Sequence, residues 1–361
     1  MKKTIFLLCL PLFLVYGQAQ IATGQSQAPG RDKYTLLTMP YNMRPLTLYR
    51  GQLQLNGGYK FAIRSQSFNS EGDKIFLRKN GTGSVFHYYY VNAKFGLTNF
   101  LELGAETNFI RHGVRAESVV YTAASFTSSQ RVTVNKINEI KGRSDLLLTA
   151  SARLPLTYRW FDFGFTGGIY IPSAPYEQEK PAHTLSNITA SDVYTVNYKY
   201  RFSNGYGVPV YLMSPQVKFT FRKISLQADL IYRTPAKEGT NVRWEENLVE
   251  KQFVYYDNKY KYLLSDSWTG AVALHYQATG WFDISLNTSW QKTSGGWTEY
   301  WGNKYKNKET RLLVIEPSFE LQVSPALTVS QTAGFPVAGL NCDAPFYLFT
   351  TVKYSNFLFI R

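Results

Sequence analysis

Arg201-Phe202-Ser203-Asn204-Gly205 puts a serine in a turn, with a basic residue two positions before it where a hydrolase would keep its proton acceptor. Arg201 cannot fill that post, because a guanidinium stays protonated, and Ser-Asn-Gly is ordinary turn chemistry. The histidines, His87, His112, His183 and His275, are scattered, so their spacing spells neither a Ser–His pair nor a metal site. The sequence is therefore read as a non-enzyme with no cofactor and no metal. The charges that do recur in a pattern are Lys60, Arg64, Glu102, Glu106, Asp145, Arg153, Lys218, Asp229, Arg233, Glu316 and Glu320. Each occupies the polar side of an alternating run. Groups of both signs on one face pair with each other and polarise a wet space, which is the chemistry of a passage rather than of catalysis.

The elements that carry those charges have a period of two. In Phe100 to Ile110, Leu101, Leu103, Ala105, Thr107 and Phe109 fall on one face, and Glu102, Gly104, Glu106 and Asn108 on the other. Lys223 to Arg233 and Trp281 to Gln291 repeat the pattern, as does the run from Gln52 to Arg64. Only a strand alternates this way. Each run is about ten residues or longer, the length a tilted strand needs to cross a bilayer, where strands of soluble sandwiches stop near 5–6. A charge on the lipid face would cost about 2–4 kcal/mol at mid-depth, so the charged faces are expected to line the lumen.

Composition agrees. Aromatics make up 16% of the 361 residues and charged residues only 18%, which excludes a disordered chain. Beyond the N-terminus no apolar stretch approaches a spanning helix. Met1-Lys2-Lys3, the apolar run Ile5 to Tyr16 and the small residues Gly17 and Ala19 read as a signal peptide, residues 1–19, cut near Ala19. Its removal takes two lysines from a net charge of +14 and leaves +12. It also removes Cys9, so Cys342 has no partner for an intramolecular disulfide. Residues 20–50 are read as a periplasmic segment and a candidate lumen plug, and residues 51–361 as the barrel.

Connections alternate between tight links, near Leu97-Thr98-Asn99, Arg222-Lys223, Thr279-Gly280 and Ser324-Pro325, and long polar segments near 69–83, 115–141, 173–204, 235–260, 294–307 and 337–344. That asymmetry predicts an all-β, transmembrane, antiparallel up-and-down β-barrel with short turns periplasmic and long loops outside. The crossings number about 12, with 10 and 14 as the alternatives, because Pro209 and Pro215 read poorly as strand. Tyr88-Tyr89-Tyr90, Trp160-Phe161, Trp281-Phe282 and Phe357 to Phe359 read as girdle aromatics near strand ends. Phe357-Leu358-Phe359 is also the kind of closing strand the barrel-assembly machinery reads. Basic residues gather at 111–143 and 292–311, which points to partners among outer-membrane lipid, the phosphates of lipopolysaccharide and anionic solutes, and not to nucleic acid. Trp244, Trp297, Tyr300 and Trp301, in loops, are candidates for binding a partner or glycan.

The run Lys94-Phe95-Gly96-Leu97-Thr98-Asn99-Phe100-Leu101-Glu102-Leu103-Gly104 resembles a hairpin of outer-membrane transporter barrels of the meta-pathway phenol-degradation type, relatives of the long-chain fatty-acid channel. Asp145-Leu146-Leu147 with Gly167 to Pro172 resembles their next hairpin, and Glu316-Pro317-Ser318-Phe319, Ser324-Pro325 and Phe335-Pro336-Val337-Ala338-Gly339 resemble their closing strands. The resemblance covers most of the chain after residue 19, although the Asn-Pro-Ala signature of the fatty-acid channel's hatch is absent from residues 20–50. What it implies is uptake of small, hydrophobic or anionic solutes. The competing expectation is a closed structural barrel whose loops bind a partner or glycan.

Overall fold

The structure, a computed structural model, describes residues 44–77, 84–122, 132–154, 160–174, 178–180, 193–196, 200–202, 205–249, 252–300 and 302–358. The expected signal peptide and residues 20–43 lie outside the described residues. Twelve strands form the wall: β1 Gln52–Arg64, β2 Ser84–Gly96, β3 Leu101–Thr122, β4 Leu146–Arg153, β5 Phe161–Ile171 and β6 Val210–Phe221. β7 Ile224–Pro235, β8 Asp266–Gln277, β9 Phe282–Ser294, β10 Thr310–Gln322, β11 Leu327–Leu340 and β12 Phe346–Phe357 complete it. Each pairs antiparallel with its sequence neighbours. Gln52 opposite Phe357 joins the first strand to the last, and the barrel is closed.

The alternation read from sequence is the alternation of the wall. Leu55, Val91, Leu103, Val272, Leu286 and Val352 are exposed on the outside, while Asn92, Glu102, Lys218 and Asp283 are buried on the inside. A soluble monomer does not expose an apolar belt of that size, so the belt faces lipid. Trp160, Trp281 and Phe221 stand exposed beside the short turns, where Trp160, Phe219, Phe221, Ile224 and Leu226 border a shallow apolar crevice. The tyrosine triplet differs from expectation: it lies within β2, not at its end, and alternation turns only Tyr89 outward.

Pro215 and Pro317 sit in the middle of wall strands. Pro215 pairs with Phe165 of β5, but towards β7 the ladder steps from Met213–Tyr232 to Gln216–Asp229. Pro317 likewise pairs with Leu286 of β9, and the β10–β11 ladder skips from Ile315–Phe335 to Ser318–Thr332. A closed barrel has no edge to hide a missing N–H, so each proline interrupts one seam and leaves the other continuous.

The outer connections are more ordered than their polarity predicts. Gly239–Val249, Gln252–Leu263, Trp297–Tyr300 and Asn303–Lys306 form a four-stranded sheet, and Val132–Arg143 continues the pairing of β3 well past the wall. Doubled residues such as Glu245-Glu246 and Tyr255-Tyr256 blur the period of two there, which is why 235–260 reads as loop.

Candidate functional site

The chain enters the barrel by crossing its short-turn mouth. The Leu46 N–H donates to Asp162 Oδ2 at 2.9 Å, and the Leu48 N–H to Glu102 Oε2 at 3.0 Å. The Arg44 guanidinium meets Glu320 Oε1 at 2.5 Å, and the Arg44 carbonyl accepts from Lys218 Nζ at 2.9 Å. Residues 44–50 are thus a strap pinned by side chains of β3, β5, β6 and β10. Its backbone presses so close to β2 that a Cβ on Gly96 would lie 2.0 Å from the Tyr49 carbonyl oxygen. Only glycine fits there.

Around the strap the charges are paired. Glu102, 2% exposed, takes Lys94 Nζ at 2.9 Å, and Glu320 takes Lys353 Nζ at 3.2 Å. Arg153 holds the Asn99 carbonyl at 3.1 and 3.0 Å and lies 3.6 Å from Asp162. Buried ions persist only with such compensation, so this end of the lumen is a braced ionic plate.

Higher in the lumen, Phe86, Tyr88, Tyr90, Tyr347 and Phe349 face inward from β2 and β12 on either side of β1. Lys60 Nζ lies 3.6 Å above the Tyr347 ring, whose hydroxyl donates to Glu316, as does the Asn287 amide. The Tyr347 ring lies over Gly334, where a side chain would collide with it. Tyr90 donates to Glu106 at 3.3 Å, with Arg233 close to Glu106, Tyr170 and Tyr206. Asp229 accepts from Gln227 at 3.2 Å.

The opposite wall is bare by comparison. β8 turns Ser267, Thr269, Ala271, Ala273 and His275 inward, with Arg233, Asp229 and Gln227 of β7 on one side and Ser289, Asn287 and Ser285 of β9 on the other. Ala271 and Ala273 stay partly accessible from the lumen. No aromatic side chain of β8 faces inward, in contrast to β2 and β12.

At the outer mouth Arg64 pairs with Asp343 at 2.9 Å. Asp145 accepts from the backbone N–H groups of Ser173 and Ala174 at 2.9 Å and of Tyr206 at 2.6 Å, so its carboxylate ties a loop to the rim. Burial pushes the Tyr206 phenol up to about 12. Glu309, outside the wall, is held below the usual carboxylate range by hydrogen bonds from Arg311, at 2.6 Å, and Lys292.

No protein-family profile matches the sequence, and a search of curated proteins found no match. Among solved structures, an outer-membrane channel from Pseudomonas putida F1 is similar at TM-score 0.56 and 12% identity, covering 86% of this chain and 97% of that one. The fold is that of an outer-membrane barrel. The translocator domain of the autotransporter NalP from Neisseria meningitidis is similar more weakly, at TM-score 0.47 and 7% identity over 85% of this chain and 89% of that one.

Of the loop aromatics, Trp297 stacks under Lys304, whose Nζ lies 4.2 Å from the ring. Trp244 and Tyr300 fall on strands of the outer sheet, and Trp301 lies outside the described residues, as do Ser203, Asn204 and His183. Sequence reasoning missed Asp162, Lys94, Asp283 and Lys353. All four sit on the polar parity of their strands, which was signal enough to find them.

Proposed function

We propose that the barrel passes small solutes across the outer membrane along the β8 wall, with the strap of residues 44–50 narrowing the exit to the periplasm. The observation that carries this reading is the uneven lumen: aromatic side chains of β2 and β12 crowd one side, while β8 opposite presents the short side chains of Ser267, Thr269, Ala271 and Ala273 between Asp229 of β7 and Asn287 of β9. A closed structural barrel would gain most by filling both sides, because an unfilled interior forfeits packing. That a barrel of the same fold from Pseudomonas putida F1 is an outer-membrane channel supports the direction of the argument.

The solute class follows from the lining. Lumenal charges are matched in sign, so they select weakly by charge, whereas Phe86, Tyr88, Tyr90, Tyr347 and Phe349 offer flat faces. Small hydrophobic solutes bearing a polar or anionic group fit that combination best.

Single-channel recording of the refolded protein in a planar bilayer tests it. Small discrete steps are expected, rising about twofold when Arg44→Ala loosens the strap and falling by about half in Ala273→Trp, since conductance follows pore section. Silence in both wild type and Arg44→Ala, from protein that still migrates as a folded barrel, would overturn the reading. The outer sheet around Trp297 would then become the binding surface to pursue.

A further inference from the structure

Carboxylates of the lumen have cations close by, and Asp229 departs from that rule. Glu102 takes Lys94 and the Leu48 N–H, Glu320 takes Arg44 and Lys353, and Asp162 takes the Leu46 N–H with Arg153 beside it. Higher up, Glu316 has Lys60 and Tyr347, and Glu106 has Tyr90 with Arg233 close by. Asp229, inward on β7, has one neutral amide: Gln227 Nε2 donates to its two oxygens at 3.3 and 3.2 Å. Among the described residues no cation pairs with it.

Two features of its surroundings give that carboxylate a use. The first is what stands beside it. Register places Ala271 of β8 directly opposite Asp229 and Gln216 of β6 on its other side, and neither brings a charge. Asp229 and Ala271 are both partly accessible, so a solute in the lumen can reach the carboxylate. An ionised carboxylate has about four lone-pair positions, and one amide leaves most of them to a mobile donor. The second feature is what stands across from it. β7 lies six strands from β1 whichever way the ring is followed, so Asp229 looks over the lumen at the aromatic side built from β2 and β12.

The same strand supplies a contrast. Arg233, four residues further on and on the same face, hydrogen-bonds Tyr170 and has Glu106 close by. The positive group of β7 is thus compensated and the negative one is not. Walls of low dielectric focus the field of such a charge into the passage. The whole chain is basic, at +14, so a pore governed by net charge would prefer anions. One governed by Asp229 prefers cations.

Resting on the reading of the barrel as a solute passage, we propose that Asp229 selects solutes with a protonated amine at one end and a flat apolar body at the other. The ammonium sits on the Asp229 carboxylate beside Ala271, and the body lies toward the aromatic side chains of β2 and β12. A charge-assisted hydrogen bond is stronger in a confined passage than on an open surface, and aromatic faces attract the same cation. Of the polar ends that the lining admits, the cationic one is favoured.

Selectivity and block in a planar bilayer test this. In a gradient of dilute potassium chloride, the wild-type reversal potential should show K+ preferred over Cl− by about fivefold. That factor corresponds to about 1 kcal/mol, the attraction of unit charges about 4 Å apart in water. Asp229→Asn should bring the ratio close to one, and Asp229→Glu should keep it. 2-Phenylethylammonium should block the wild-type current at about fivefold lower concentration than 2-phenylethanol, and the two should converge in Asp229→Asn. Heat-modifiable migration checks folding. If Asp229→Asn fails that check, Ala271→Lys supplies the missing cation and should abolish the preference, with Ala271→Met as the control for size. Anion preference in the wild type, equal block by the alcohol, or a preference unchanged in the folded variant overturns the proposal and leaves the passage standing. A barrel that conducts nothing removes the passage and the proposal with it.

Discussion

The floor of the lumen and the β8 wall solve opposite problems with the same period of two. At the floor, Glu102, Asp162, Lys218 and Glu320 converge on residues 44–48, each within hydrogen-bond reach of them. Along β8, Ser267, Thr269, Ala271 and Ala273 carry no charge. Polar parity alone therefore does not say what a lumen position does. Size and charge on that parity separate the part that is braced from the part that is open.

Breaking the brace should have the largest effect. Glu102→Ala strands Lys94 and the Leu48 N–H, and should lower barrel stability by about 3–5 kcal/mol. Urea unfolding in lipid, followed by tryptophan fluorescence, reads this, and a loss no larger than that of Ser285→Ala, about 1 kcal/mol, would erase the distinction between the two regions. Gly96→Ala leaves every charge in place but collides with the Tyr49 carbonyl, so it should displace the strap at a cost of about 1–3 kcal/mol and raise conductance. A Gly96→Ala barrel with wild-type conductance would show that the strap does not narrow the path.

The wall predicts the reverse pattern. Ala273→Trp should narrow the path with little loss of stability, because the ring enters space rather than packed side chains. A loss above about 3 kcal/mol would mean that the wall is already filled. The smallest effect is at the rim. Glu309 has a folded value below its unfolded one, so its bridge to Arg311 and Lys292 stabilises at neutral pH and is lost as the pH falls through that folded value. The difference in unfolding midpoint between wild type and Glu309→Gln should thus shrink on acidification. A difference that grows would reverse the sign.

Much of the wall was legible because alternation is local: Leu101 to Phe109 declares its two faces within nine positions. The number of crossings was legible to within a hairpin, and the doubt centred on Pro215, where the seam to β7 is in fact interrupted. The strap was not legible as a bound element. Arg44 meets Glu320 across 276 residues, and Leu46 meets Asp162 across 116, distances over which no spacing rule operates. Asp145 sits on the expected parity, yet its partners are the backbone of Ser173, Ala174 and Tyr206, which only the folded loop brings near.

The anchors of the strap come from β3, β5, β6 and β10, and no two neighbouring strands supply them all. One short stretch of backbone thus ties together four strands spread around the wall, so residues 44–50 act as a cross-member that a local loosening of any one of those strands deprives of an anchor.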